Sequence, residues 1–495
     1  MSLHANEGQH VVSRTLAGAA KLPYRYVSHV TSPEVHMAPT STTARPMPLR
    51  RSVGALALGV GLLLTGLQPA HAETPASPPP DGGFSELPRS AQDQALQEEG
   101  LTREDVARGQ ALQKLSATTG GAFYETPAQL PATDGDVVRS EASTFYLDPV
   151  KLIKPNASST RIMYKTTNSK NRAVPTTGTV LESKAAWKKA GPRPLVVLSP
   201  GTQGMGDPCA PSRQLAMGMN YEGISLAGLV NAGYNVVVPD YIGLGTEGTH
   251  TYMNRVDQGH AVLDAVRAAQ RLGVKGMDAT TPVAAVGYSQ GGGATASAVE
   301  MAPQYAPELK IKSAWVGAPP ADLVATGKKI DSSLFTGLSF YVMGAAQDSG
   351  VDVRSKLNAE GQKRYDKAQE SCVIGGVLGE ALVPSKTLTA DGRSFSQLLE
   401  DPELKAYLKA QDNGAAGRHP AVPVRVAHGL ADDVVPYQAG RNLAKSWCTS
   451  GTNVSLQTLV TPTHLGGYVE GIPSMLAYLD ARFNGIPQTS SCWRL

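Results

Sequence analysis

Four cysteines and ten histidines are few for a chain of 495 residues, and nowhere do they stand at zinc-ligand spacing. The sequence therefore offers no metal-ligand cluster, and no cofactor is expected. An excess of charge is also lacking. The formal net charge is +3, but six of the 45 basic and two of the 42 acidic side chains fall in residues 1–72, leaving 39 and 40 for the rest. Such a balanced body gives nucleic acid no electrostatic footprint. A membrane-spanning run is missing too. The apolar stretch from Val53 to Leu67 has fifteen residues, short of the roughly 20 that a bilayer requires, so no transmembrane anchor is expected.

What is present describes a globular protein with an ample core: 41 % hydrophobic and 18 % charged residues. The length allows one large domain with an insertion, or two to three ordinary ones. Arg50-Arg51, the apolar run and Ala70-His71-Ala72 follow the plan of a secretory signal peptide over residues 47–72, cleaved after Ala72, which makes the protein secreted. The paired arginines permit a twin-arginine route without specifying it. Residues 1–46 read as an upstream extension with no role in the fold, since Met47 is the more natural start. Residues 73–120 are Pro/Gly/Ser-rich, then Gln/Glu-rich, and predict a largely disordered linker with one modest helix near Arg103–Lys114.

From residue 121 to 495 the rhythm is that of an α/β fold. Arg161–Thr167 and Pro175–Leu181 are β-like, separated by a turn. Pro194–Ser199 is a continuous apolar strand suited to the buried centre of a mostly parallel sheet. Tyr234–Pro239, Val283–Tyr288, Lys312–Ala318, Val424–His428 and Asn453–Val460 follow, with a helical pattern over Arg255–Leu272. Strands alternating with helices predict a doubly wound sheet. Between about 321 and 418 the alternation stops, and a helical cap inserted into the sheet plan is expected there. Its apolar segment Leu334–Ala346 suits both a cap core and an acyl-binding pocket.

The chemistry centres on Gly287-Tyr288-Ser289-Gln290-Gly291, which follows an apolar strand and precedes an alanine-rich helix. Strand, sharp turn and helix make a nucleophile elbow, with Ser289 lifted clear of the sheet. A serine hydroxyl needs a base, and the base needs a carboxylate to fix its tautomer. In the chain order of this fold, Asp432 stands just past one late strand and His464 in a short Pro/Gly-bounded loop past the next. Asp433 is the rival acid, though it suits a cap for the helix starting near Pro436. His428 is the rival base, but it precedes the aspartate; His250 and His260 lie upstream of the elbow. For the oxyanion hole, the Gln290 N–H is one donor and the Thr202 N–H is expected as the other, with Gln203 left as an alternative.

Several spaced motifs carry a resemblance. Ser-Pro-Gly-Thr-Gln-Gly-x-Gly-Asp-x-Cys-Ala-Pro-Ser (199–212), Gly-Tyr-Ser-Gln-Gly-Gly (287–292), His-Gly-x-x-Asp-x-x-Val-Pro around Asp432, and Thr-His-Leu (463–465) resemble the secretory lipases of bacteria and fungi. So do Phe123-Tyr124 and Gly-Asp-Val-Val-Arg-Ser-Glu (135–141). The resemblance spans about residues 121–495 and implies an α/β-hydrolase with a helical cap, acting on acylglycerols or other carboxylic esters. A short-chain carboxylesterase, a polyester hydrolase, an acyltransferase and a catalytically idle binding protein are the alternatives on the same fold. A monomer is expected. Four cysteines in an exported chain allow three pairings. Joining Cys448 to Cys492 encloses the His464 loop and leaves Cys209, just past the oxyanion loop, for Cys372 in the cap.

Overall fold

Three short aliphatic stretches, Leu195–Ser199, Asn235–Pro239 and Val283–Tyr288, become strands buried along their whole length. Continuous aliphatic strands of this kind belong in a sheet covered on both faces. The computed structural model describes residues 88–98 and 102–495. The expected extension at 1–46, the signal peptide at 47–72 and residues 73–87 of the expected linker lie outside the described residues.

The described strands are β1 (Val137–Ser143), β2 (Ala157–Thr167), β3 (Ala173–Ser183), β4 (Leu195–Ser199), β5 (Asn235–Pro239), β6 (Val283–Tyr288), β7 (Ile311–Gly317), β8 (Val424–Gly429) and β9 (Val454–Leu459). They form one sheet in the order β1-β2-β3-β5-β4-β6-β7-β8-β9. The pairs from β1 to β5 along that order are antiparallel, and those from β5 to β9 are parallel. Side chains alternate across the sheet: Val197, Val237 and Ala285 enter one core layer, while Val196, Val236 and Ala284 enter the other. Strand order reverses direction at β4, between β5 and β6. In open α/β sheets that reversal opens a crevice at the carboxyl ends of the strands. This is an α/β-hydrolase fold.

Between β7 and β8 the chain is helical, with helices at Leu323–Ile330, Gly337–Asp348, Ala359–Gln369, Val373–Gly379, Phe395–Leu398 and Pro402–Gln411. They enclose a core of their own, including Phe340, Tyr341, Val353, Phe395 and Leu408. Disulfides join Cys209 to Cys372 and Cys448 to Cys492.

The structure changes the linker reading of the N-terminal part and adds a strand to it. The described residues of the expected linker are largely helical: a helix at Arg89–Glu98 precedes the one expected near Arg103–Lys114, which runs over Arg103–Ser116. The second helix docks through polar contacts: Gln113 Nε2 donates to Glu370 O (2.9 Å), Gln113 Oε1 accepts from Cys372 N (3.3 Å), and Ser116 Oγ donates to Pro208 O (2.6 Å). These partners are remote in the chain, so polar composition alone suggested a linker. The stretch 137–143 is also a strand, β1, held at the sheet edge by its antiparallel pairing with β2.

Candidate active site

The elbow is set by backbone crowding. A Cβ on Gly287 would lie 2.2 Å from Gly291 O, and one on Gly291 would lie 2.0 Å from Ser199 O. Only glycine fits at either place. Ser289 itself adopts φ 59° and ψ −125°, a costly conformation for a residue with a side chain. Its N–H donates to Gly317 O of β7 (3.0 Å), and its carbonyl accepts from Gly293 N (3.0 Å) as the helix Gln290–Tyr305 begins.

Asp432 and His464 come together at the carboxyl ends of β8 and β9. Asp432 Oδ2 accepts from His464 Nδ1 at 2.7 Å, while Oδ1 accepts from the N–H groups of Val434 (3.0 Å) and Val435 (2.7 Å). Both side chains are buried. Burial pushes the Asp432 carboxyl up, but the neighbouring imidazole and these hydrogen bonds outweigh it and hold the group below its ordinary value. Burial pushes His464 down, and the Asp432 charge and hydrogen bond reverse that, leaving it raised. With Nδ1 fixed on the carboxylate, His464 Nε2 is buried and has no hydrogen-bond partner among the described residues. Tyr288, the residue before Ser289, donates its hydroxyl to His464 O (2.9 Å), and its ring centroid lies 5.0 Å from the imidazole. That contact clamps the elbow to the histidine.

Two local expectations are corrected. His464 is the first residue of the helix His464–Phe483 rather than part of a loop, because Thr463 caps it by accepting from Gly466 N (3.1 Å). Asp433 serves this helix and not the one beginning at Tyr437: its Oδ1 accepts from His464 N at 2.7 Å, whereas Pro436 offers no side-chain cap.

The rival histidines have other partners. His428 is fully buried, with Nε2 3.2 Å from Val435 O and 3.6 Å from Asp432 Oδ2. Burial pushes its pKa down to about 4. Gly440 leaves room for its ring, since a Cβ there would lie 2.2 Å from His428 Nδ1. His260 stacks on Tyr305 with ring centroids 3.7 Å apart and contacts Thr167 O through Nδ1 (2.7 Å). His250 lies closer to the site than its chain position suggested. Its Nδ1 meets Ile242 O (3.0 Å), so Nε2 is free to accept from the Gln290 side chain at 3.3 Å. Burial holds it neutral, with a pKa of about 4.

The loop after β4 is tied down almost everywhere. Pro200 O accepts from Tyr241 (2.8 Å), Gly201 N donates to Glu222, and Gly201 O accepts from Gln203 Nε2 (3.2 Å). Thr202 O accepts from Tyr221 (3.2 Å), Thr202 Oγ1 pairs with Tyr252 (2.7 Å), and Gln203 O accepts from Val373 N (2.8 Å). The N–H groups of Thr202, Gln203 and Gln290 have no acceptor among the described residues. The loop thus leaves the Thr202 and Gln203 donors as equal candidates beside Gln290. Sequence reasoning missed the tyrosines and Glu222, whose chain positions carry no motif.

A pocket of about 710 Å³, open solvent included, is lined by Ser289 and Gln290 together with Leu338, Val342, Phe395 and Leu399 of the cap. The apolar segment expected at 334–346 divides along its helix. Leu338, Val342 and Met343 line the pocket, while Phe340 and Tyr341 fill the cap core.

Comparison with known proteins agrees with this architecture. The family model for secretory lipases matches residues 210–491. Lipase 5 of Candida albicans is 28 % identical over 303 residues, covering 57 % of this chain and 64 % of its own length. The chain thus spans less than two thirds of that relative. A secreted triacylglycerol lipase of Malassezia globosa, LIP5, is 26 % identical over 327 residues, 62 % of this chain and 67 % of its own. A Mycobacterium tuberculosis protein named a probable inactive lipase is 28 % identical over 386 residues, 74 % of this chain and 82 % of its own. Among solved structures, Candida antarctica lipase A in its closed state superimposes with a TM-score of 0.64 at 24 % identity, covering 75 % of this chain and 87 % of that one. On the family match, over more than half of its length, the chain belongs to the secretory lipase family.

Proposed function

We propose that the protein is a secreted carboxylic ester hydrolase acting on acylglycerols through a Ser289–His464–Asp432 triad. The observation that supports it most is the Asp432–His464 pair, with a vacant Nε2, clamped through Tyr288 to a serine that lines an apolar pocket. In this mechanism His464 Nε2 takes the Ser289 proton as Oγ attacks the ester carbonyl. The imidazolium is stabilised by Asp432, and the oxyanion by the Gln290 N–H with that of Thr202 or Gln203. His464 returns the proton to the leaving alcohol, and water then releases the acid by the same route. The acyl chain lies in the cap pocket, whose apolar wall suits it.

Family membership, the Malassezia relative's name and the expected signal peptide at 47–72 support export and a lipid substrate. The relative named a probable inactive lipase favours a second reading, an α/β-hydrolase that binds ligand without turnover. Labelling with a fluorophosphonate probe, followed by peptide mapping, decides between them. Covalent label on Ser289 together with turnover of an emulsified triglyceride is expected. A folded protein that neither labels nor hydrolyses any ester overturns the triad.

A further inference from the structure

Glu222 is 2 % exposed and begins the helix Gly223–Asn231, yet its side chain does not cap that helix. It turns to the loop after β4. Both carboxyl oxygens lie 3.2 Å from Gly201 N, and Oε2 lies 3.3 Å from Gln203 Nε2. The ring closes through Asn220, which donates from Nδ2 to Gln203 Oε1 (3.3 Å) and accepts from Glu222 N at Oδ1 (3.0 Å). Gly201 has no slack: a Cβ there would lie 2.4 Å from the Tyr221 hydroxyl and 3.2 Å from Tyr288 O.

We propose that Glu222 is a positioning residue for the oxyanion hole, holding Gly201 so that the next two backbone N–H groups stay aimed beside Ser289. The assignment rests on the serine mechanism above. Oxyanion donors act by being fixed before charge develops, so a loop whose first peptide is anchored from behind does not reorganise during the reaction.

The choice of a carboxyl group has a further consequence. Among the described residues no cation pairs with it; the titratable groups facing it are the phenols of Tyr221, Tyr241 and Tyr468, beside the polar Gln203 and Asn220. Burial pushes the carboxyl up to about 8, against the pull of the Gly201 hydrogen bond. Near neutral pH the acid is uncharged and still accepts from Gly201. Above that range it ionises, and a negative charge behind the loop opposes the developing oxyanion in a medium of low dielectric. Turnover therefore falls on the alkaline side.

The test compares the full chain with its Glu222→Ala, Glu222→Gln and Ser289→Ala variants on a soluble p-nitrophenyl butyrate, across about pH 6–10. Glu222→Ala is expected to lower kcat on the order of tenfold to a hundredfold while moving KM little, as loss of orientation does. Glu222→Gln, which keeps an acceptor for Gly201 and cannot ionise, is expected to recover most of that loss and to flatten the alkaline limb. Loss of turnover in Ser289→Ala with wild-type kcat in Glu222→Ala overturns the Glu222 assignment alone. Should Glu222→Ala not fold, an unchanged alkaline limb in Glu222→Gln overturns it. Turnover persisting in Ser289→Ala overturns the serine mechanism and Glu222's part in it together.

Discussion

The carboxyl edge of the sheet and the cap face the same pocket but are built on different principles. At the edge, each member of the proposed triad stands past the end of a strand whose place is fixed by ladder hydrogen bonds: Ser289 after β6, Asp432 after β8, His464 after β9. In the cap, short helices surround a core of their own, and besides the chain leading in from β7 and out to β8, the Cys209–Cys372 bond ties it to the chain just past the loop after β4. The edge fixes chemistry to within a hydrogen bond; the cap offers volume and apolar surface, which tolerate substitution better. The two regions should then fail in different ways when altered, the edge in turnover and the cap in substrate choice.

The largest expected effect is at the edge, and two histidines beside one carboxylate make the test sharp. His464 Nδ1 is 2.7 Å from Asp432 Oδ2, and His428 Nε2 is 3.6 Å from the same oxygen. Under the proposed mechanism His464→Ala should lower kcat by as much as about 10⁶-fold with the fold intact, as loss of a triad base does. His428→Ala should act through stability, since its buried ring fills space left by Gly440 and bonds Val435 O. Removing it should lower the thermal midpoint while the folded fraction retains turnover. Turnover surviving in His464→Ala but lost in folded His428→Ala would reverse the assignment.

The cap's failure should be smaller and selective. Leu338 and Val342 are one helical turn apart on Gly337–Asp348 and both line the pocket. Val342→Trp shortens the space available to a chain. Hydrophobic-pocket discrimination is worth about 10–200-fold per changed contact, so hydrolysis of long-chain p-nitrophenyl esters should fall by roughly that much relative to butyrate. Phe340→Leu, altering the cap core instead, should change stability before it changes chain-length preference. A chain-length profile unmoved by Val342→Trp would remove the pocket from the substrate path.

How far each region was legible in the sequence follows from the same contrast. The elbow could be read because its strand, turn and helix fall within one short window, in which Gly287 is demanded by the carbonyl of Gly291. The meeting of Asp432 and His464 could be read because parallel strands put successive loops on one edge. The cap was visible only as a break in rhythm, since which face of Gly337–Asp348 meets the pocket depends on helices elsewhere in the chain. The helix expected near Arg103–Lys114 is present as Arg103–Ser116, but its docking was hidden for a related reason: Gln113 reaches Cys372, 259 positions away, and no window of sequence contains both. Asp433 was assigned to the nearer helix, whereas its partner, the N–H of His464, is 31 positions on. Glu222 left no trace, because an acid before an apolar helix reads as an ordinary surface start until its burial is known.

The smallest readout expected is the position of a pH limb, and it tests whether the edge is electrostatically as well as geometrically set. Under the proposed mechanism the base must be neutral to accept the Ser289 proton, so kcat/KM on a soluble ester should rise with pH through the His464 pKa of the free enzyme. Asp432 favours the imidazolium and raises that pKa, so the ascending limb should lie above the ordinary histidine value of about 6.5. Stability runs the other way. A histidine whose folded pKa is raised contributes stability in full below its unfolded pKa and loses it as pH rises through the folded value. The pH range in which activity appears is therefore the range in which the ion pair stops stabilising the fold. Asp432→Asn removes the charge while keeping a similar shape. It should lower kcat by about 10⁴-fold, shift the residual limb toward acid, and flatten the slope of the thermal midpoint across that interval. A limb that stays in place in Asp432→Asn would mean that some other group sets the His464 pKa, and that the 2.7 Å contact orients the ring without charging it.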